Sequence, residues 1–247
     1  MRSLARLLAL LLMAALALQL YFGARIALMS VLAPESTSFQ RSEAWRLAVE
    51  KHQILWSQQW VDDARISKQL KRAVIASEDA GFSEHGGVDW DALEKAWEKN
   101  QREEARLARL GKQAPARAVA RPAPKVVGGS TITQQLAKNL FLSGERNLVR
   151  KGQEFVLTLM LEGLLSKQRI LEIYLNNVEW GEGVFGAQAA ARHYFRVDAV
   201  QLASWQAARL AVMLPAPKRF EKRPSSPYVI ARSATIEARM PAVALPE

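Results

Sequence analysis

Apolar and polar positions recur with a helical period along most of the chain, and the clearest break is at its start. From Leu7 to Ala24 no residue is charged, an apolar run of 18 positions closed by Arg6 and Arg25. At ~1.5 Å per residue the run spans about 27 Å, close to the hydrocarbon thickness of a bilayer. Arg2, Arg6 and the α-amino group lie on the short leading side, so the positive-inside rule predicts a cytoplasmic N-terminus and an exported body. A cleaved signal peptide is the alternative. Its apolar region is normally shorter and ends at a small-x-small site, which Leu20-Tyr-Phe-Gly-Ala-Arg25 fits poorly. The expected division is 1–6 cytoplasmic, 7–32 membrane anchor and juxtamembrane segment, 33–60 linker or interface segment, and 61–240 main domain.

Within the main domain, Ile66 to Ser77 has apolar residues at 66, 70, 73, 74 and 75 and cations at 68, 71 and 72, which predicts a helix ending near Glu78 and Asp79. A second amphipathic helix is predicted over 90–110. From Arg150 to Asn176 the helical spacing continues, with Phe155, Leu159, Leu161, Leu164 and Leu165 as the expected core face of one helix. Ile170, Leu171, Tyr174 and Leu175 supply that of the next. Gly181, Gly183 and Gly186 interrupt the chain before a helix over Ala187–Phe195. Another helix, Leu202–Leu214, is stopped by Pro215 and Pro217. Strand-like alternation is hard to find, so the body reads as mainly α. Residues 43–60 carry Trp45, Trp56 and Trp60 and either lie near a membrane interface or pack on the body. Residues 98–127 are basic, with Pro115, Pro122 and Pro124 near the end, a composition expected to form a mobile insertion.

Composition narrows the partners. The chain has 247 residues and no cysteine, which excludes disulfides and thiolate metal sites. A formal net charge of +10 calls for an anionic partner: nucleic acid, anionic lipid or a phosphate-bearing substrate. An exported body leaves the last two.

Two segments concentrate chemistry. Glu78 and Asp79 precede Phe82-x-x-His85-x-Gly87-x-Asp89, and Gly128 to Asn139 offers Ser130, Thr131, Thr133, Gln134, Gln135 and Lys138. An adjacent acid pair is usually a solvated helix end, and Ser130 or Thr131 before a polar helix face is usually an ordinary N-cap. A glycine turn opening a helix also aims free N–H groups at an anion, and Lys138 adds a full charge. His85 has no second His or Cys at ligand spacing, so a structural hydrogen bond is expected of it. Ser130 has no His placed to activate it as a nucleophile. Arg146-x-x-x-Arg150-Lys151-x-x-Glu154 follows, where Lys151 and Glu154 can form an exposed helical ion pair.

Together these segments resemble the signature motifs of the bacterial peptidoglycan glycosyltransferases. Lys167-x-x-Ile170-Leu-Glu-x-Tyr174-Leu-Asn176, Gly181-x-Gly183-x-x-Gly186 and Leu214-Pro-Ala-Pro217 extend the match as scaffold, over roughly residues 60–235. Neither Ser-x-x-Lys nor Lys-Thr-Gly occurs, so the resemblance is to the monofunctional form without a transpeptidase. It implies a lysozyme-like, mainly α domain behind one transmembrane helix, in the bacterial inner membrane with the domain outside the cytoplasm. The implied activity is inverting transfer of a lipid-pyrophosphate-linked glycan to the 4-hydroxyl of an acceptor lipid II. Glu78 is then the general base and Glu154 the second catalytic glutamate. Substrate binding falls to Ser130, Thr131, Gln135, Lys138, Arg146, Arg150 and Lys151. A divalent cation, Mg²⁺ or Mn²⁺, near Glu154 is the one cofactor the resemblance leaves room for. The implied partners are lipid II, the nascent glycan strand, the membrane and other cell-wall synthesis or division proteins, with no nucleic acid. A lysozyme-like hydrolase or lytic transglycosylase and a non-catalytic membrane scaffold are the alternatives. The cations near Glu154 speak against a hydrolase, which has no pyrophosphate to hold.

Overall fold

The computed structural model describes residues 2–34, 36–113, 129–145 and 147–246, and the side chains of 108–113 are outside that description. Helix α1 (Arg2–Leu28) is long and apolar enough to cross a membrane. Its C-terminal part is fastened to the body. Gln19 and Gln153 exchange amide hydrogen bonds of 2.9 and 3.0 Å, and Phe22 meets Phe141 edge-on at 5.2 Å. Ile26 and Met29 are buried. Arg169 closes the end of α1 with bonds to the Met29 and Leu32 carbonyls at 2.7 and 2.9 Å.

The stretch 33–60, expected as a linker or interface segment with packing on the body as the alternative for 43–60, is part of the body. Thr37 and Gln40 form a capping box that starts α2 (Ser38–Lys51), and β1 (Ser57–Gln58) pairs parallel with β3 (Val184–Phe185). Strand β2 (Glu179–Gly181) lies antiparallel on the other side of β3, giving the order β1-β3-β2. This small sheet is compatible with the mainly α reading. Its strands are two or three residues long, below the length at which alternation becomes visible in a sequence.

Helix α3 (Lys68–Glu78) turns Leu70, Ala73, Val74 and Ile75 into the core, against α9 (Ser204–Met213) and α11 (Pro227–Arg239). Helix α4 (Trp90–Gln113) covers the helix expected over 90–110 and runs three residues further. The first part of the stretch 98–127, expected as a mobile insertion, is therefore helical, with exposed Arg102–Glu98 and Arg106–Glu103 pairs. The rest of that insertion, 114–127, lies outside the described residues. Next come α5 (Ile132–Phe141), α6 (Leu148–Leu164) and α7 (Lys167–Asn177). In α7 every residue from Ile170 to Asn177 is buried. Its polar members are satisfied: Asn176 exchanges two 2.9 Å bonds with the backbone of Val61, and Asn177 accepts from Gln40 at 3.3 Å. Helices α8 (Ala187–Phe195) and the short α10 (Pro217–Phe220) complete the body.

The expected core face of α6 is only partly right. Leu161 and Leu165 are buried, but Phe155, Leu159 and Leu164 are 36%, 48% and 45% exposed. The inward face is Glu154, Leu157, Thr158 and Leu161. The helix has apolar residues on two faces, and periodicity cannot choose between them when the core accepts a neutralised Glu154.

Gly183 permits the β2–β3 turn. It has φ +73°, and a Cβ there would collide with the Leu55 carbonyl oxygen. Gly183→Ala should therefore lower stability in urea unfolding by at least about 2 kcal/mol, from left-handed backbone strain plus the clash. Gly152→Ala, at an open helical position of α6, should be neutral or stabilising by about 0.5–1 kcal/mol.

Candidate active site

The site is assembled where α3 stops. Glu78 is the last helical residue and Asp79 the C-cap, followed by a turn through Gly81 to Gly87. The two neighbouring carboxylates have different surroundings. Asp79 is buried, and both of its oxygens are used: Oδ1 lies 2.7 Å from His85 Nε2, and Oδ2 accepts the Ile132 N–H at 3.0 Å. His85 Nδ1 accepts the Gly87 N–H at 3.1 Å, so Nε2 carries the proton and donates to Asp79. This is the structural hydrogen bond expected of His85.

Ile132 is the first residue of α5, so the Asp79 carboxylate sits on the positive end of that helix. Two neighbouring N–H groups at the start of α5 are also engaged. Thr131 Oγ1 accepts the Gln134 N–H at 3.2 Å, and Gln134 Oε1 accepts the Thr131 N–H at 3.1 Å. The expectation of a helix opening with N–H groups free for a ligand anion is therefore corrected at Thr131, Ile132 and Gln134. Thr131 also donates its hydroxyl to the Gly87 carbonyl at 2.6 Å, tying α5 to the His85 turn. Gly87, at φ +88°, lies against α6: a Cβ would come within 2.7 Å of Thr158 and Glu162.

Glu78 is freer. Ser77 Oγ donates to Oε1 at 3.3 Å and Gln135 Nε2 to Oε2 at 3.1 Å. Tyr174 O–H donates to Gln135 Oε1 at 3.0 Å, which fixes the amide with its N–H₂ toward Glu78. Burial pushes the Glu78 carboxyl above its ordinary value, opposed by these hydrogen bonds and by the nearby Arg232. Two clefts meet at this carboxylate. The smaller, about 400 Å³, includes Ser130, Thr131, Lys95, Lys99 and Arg239; the larger, about 770 Å³, runs under α10 and α11.

The third motif forms a neighbouring cluster on α6. Glu154 is buried rather than exposed, with Oε2 on Arg150 Nη1 at 2.8 Å and Oε1 on Lys151 Nζ. Lys138 lies on the exposed face of α5, and Arg146 lies outside the described residues. Glu154, Arg150, Lys151 and Lys138 line neither cleft that Glu78 joins. The structure thus brings Ser130, Thr131 and Gln135 to Glu78 and keeps the α6 cations as a second group.

The donor set does not favour a metal on Glu154, because both of its oxygens are already held by cations. Among the described residues, Asp79, His85 and Asp89 have ligand atoms within 4.8 Å of one another. Hydrogen bonds account for that cluster too, since Asp89 Oδ1 accepts the Ala92 N–H at 2.8 Å as the cap of α4. Tyr174 and the cations of the large cleft were not singled out from sequence. Tyr174 reads as a core aromatic on a buried helix, and the cations near the C-terminus read as a solvated face.

Most of the chain, residues 48–109 and 112–241, matches the model of the Transglycosylase family. A protein of Burkholderia thailandensis named biosynthetic peptidoglycan transglycosylase is 52% identical over 231 residues, 94% of this chain and 83% of the relative. Relatives of the same name from Burkholderia pseudomallei and Burkholderia lata are each 51% identical across 94% of this chain, covering 83% and 87% of their own lengths. The chain belongs to the transglycosylase family.

Asp79→Asn is the sharpest test of the site's frame. An amide presents one acceptor where His85 and Ile132 both donate, so one buried donor loses its partner. The variant should lose about 1–3 kcal/mol in chemical unfolding.

Proposed function

We propose that this member of the transglycosylase family is a peptidoglycan glycosyltransferase that polymerises lipid II, with Glu78 as its general base. The observation that carries the assignment is the placement of Glu78 at the junction of two clefts. It is held by a Gln135 amide that Tyr174 locks in orientation, and its pKa is raised by burial. A carboxylate so placed accepts the proton of an acceptor hydroxyl more readily than an ordinary surface glutamate.

The acceptor's 4-hydroxyl oxygen attacks the anomeric carbon of the donor as its proton passes to Glu78. The new C–O bond forms on the face opposite the breaking bond to the pyrophosphate, which inverts the centre. The lipid pyrophosphate leaves with the electron pair. Lys138, Arg150 and Lys151 on α5 and α6 meet its developing charge, with Arg146 as the fourth cation of the motif. Glu154 acts by holding Arg150 and Lys151 in place, as a positioning residue. The divalent ion expected beside Glu154 does not fit a carboxylate filled by two cations, and no step is routed through one.

The hydrolase alternative needs a second working carboxylate to direct water or form a covalent intermediate. Asp79, the neighbour of Glu78, has both oxygens committed to His85 and Ile132. In this reading α1 spans the cytoplasmic membrane with Arg2 and Arg6 inside, and the body works at the outer surface of that membrane. Exposed Trp90, Leu93 and Trp97 on α4, with Leu148, Val149 and Leu159 on α6, provide an apolar surface on that body.

Purified full-length protein in detergent should convert lipid II to glycan polymer. Glu78→Gln should keep the fold and lose about 10²–10⁴-fold or more in turnover; a rate within tenfold of the parent removes Glu78 from the mechanism. The pH profile carries the sign of the raised pKa. Activity should fall as pH drops through a value above 4.5, where Glu78 becomes protonated. Gln135→Leu, which removes a donor to the charged form, should move that acidic limb to higher pH. An unmoved limb would show that the titrating group is not Glu78.

A further inference from the structure

The larger cleft beside Glu78 carries a charge pattern that the proposed chemistry does not yet use. Its lining includes Arg219, Lys222, Arg223 and Arg232, and among the described residues Glu78 is the one acid that lines it. Among the described residues none of these four cations forms an ion pair. Cations elsewhere on the body commonly do: Arg46 contacts Glu43, Glu50 and Glu182, Lys71 contacts Asp63, Lys167 contacts Glu162, and Arg169 contacts Glu172. Glu221 is adjacent in sequence to Phe220 and Lys222 but turns away, accepting the Glu182 N–H at 2.8 Å. Like charges gathered along a concave wall without counter-charges raise the local potential for an anion.

The same wall is aromatic. Phe220 and Tyr228 stack with centroids 5.8 Å apart and planes 5° from parallel, and the Arg219 guanidinium lies 5.8 Å from the Phe220 ring centre. Flat apolar rings beside guanidinium groups suit a sugar ring that carries an anionic substituent. Position assigns the substrate. The donor's pyrophosphate belongs with the cations of α5 and α6, and Ser130 lines the other cleft. The large cleft, which the α5 and α6 cations do not line, is assigned to the hydroxyl-bearing acceptor.

Resting on the glycosyltransferase reading, we propose that Arg219, Lys222, Arg223 and Arg232 form an anion-binding acceptor subsite beside the Phe220–Tyr228 stack. They hold an anionic group of the incoming lipid II, a stem-peptide carboxylate or its pyrophosphate, and so bring its 4-hydroxyl to Glu78. A solvated basic face with no ligand would show no dependence of acceptor affinity on these residues.

The test uses full-length protein in detergent and initial polymerisation rates over a range of lipid II concentrations. The triple variant Arg219→Gln/Lys222→Gln/Arg223→Gln should raise the apparent KM about tenfold or more and keep kcat within about threefold, because three charge-assisted contacts are lost outside the reacting atoms. Restoring charge with Arg219→Lys and Arg223→Lys should recover part of the affinity, and Arg102→Gln on the exposed face of α4 should change nothing. Repeating the series with lipid II lacking its stem peptide separates the two sources. A KM effect that disappears assigns the carboxylate, and one that persists assigns the pyrophosphate. A KM within twofold of the parent for both substrates overturns the subsite while leaving the polymerase reading intact. If the parent itself makes no polymer, the polymerase reading fails. Fluorescence anisotropy with a labelled short-chain lipid II analogue then decides the subsite: weaker binding by the triple variant supports it, and equal binding overturns it.

Discussion

The contact on which the site depends is the buried carboxylate of Asp79, accepting from His85 on one oxygen and from the first N–H of α5 on the other. It joins the end of α3 to the start of a helix 53 residues later in the chain. Burial raises the Asp79 pKa, and the hydrogen bonds from His85 and Ile132 oppose that rise. With the helix end neutralised from within, α5 is held at a fixed angle to α3, and Gln135, one turn along, reaches Glu78. The two acids of the motif therefore divide the work, one closing the frame and the other facing the two clefts.

Charge is handled in two contrasting ways around this frame. On α6, Arg150 and Lys151 are held by the buried Glu154, so cations are presented at a fixed place. Along the large cleft, Arg219, Lys222, Arg223 and Arg232 form no ion pair among the described residues, and they share the cleft with the Glu78 carboxylate. The first arrangement suits a group that must be met accurately as its bond breaks; the second suits capture of an anion that varies in position. A net charge of +10 is thus not a uniform coat.

The long apolar helix α1 belongs to the same mechanical unit. The reciprocal amide bonds of Gln19 and Gln153, the Phe22–Phe141 contact and Arg169 on the carbonyl end of α1 leave little slack between helix and body. Glu154 follows Gln153 directly. A helix long and apolar enough to cross a membrane is thus fastened directly beside the α6 cations.

The amino-acid sequence by itself determined the long apolar N-terminal helix, the main helices and the motif positions of Glu78, His85 and Glu154. These depend on local period, capping residues and short spacings, which a linear chain displays. It also determined that α8 spans Ala187–Phe195 and that prolines end α9, since glycine and proline act within a few residues. Only the tertiary structure decided which apolar face of α6 turns inward, because Leu159 and Leu161 are equally apolar and burial depends on what packs opposite. Only it decided that Thr131 and Asp79 close the start of α5 instead of leaving it to a ligand. The Tyr174–Gln135–Glu78 chain crosses separations of 39 and 57 residues, and Arg232 reaches the same carboxylate from the far end of the domain. Hydrogen bonds and Coulomb forces act through space over a few ångströms, so partners distant in the chain become legible only once the fold has brought them together.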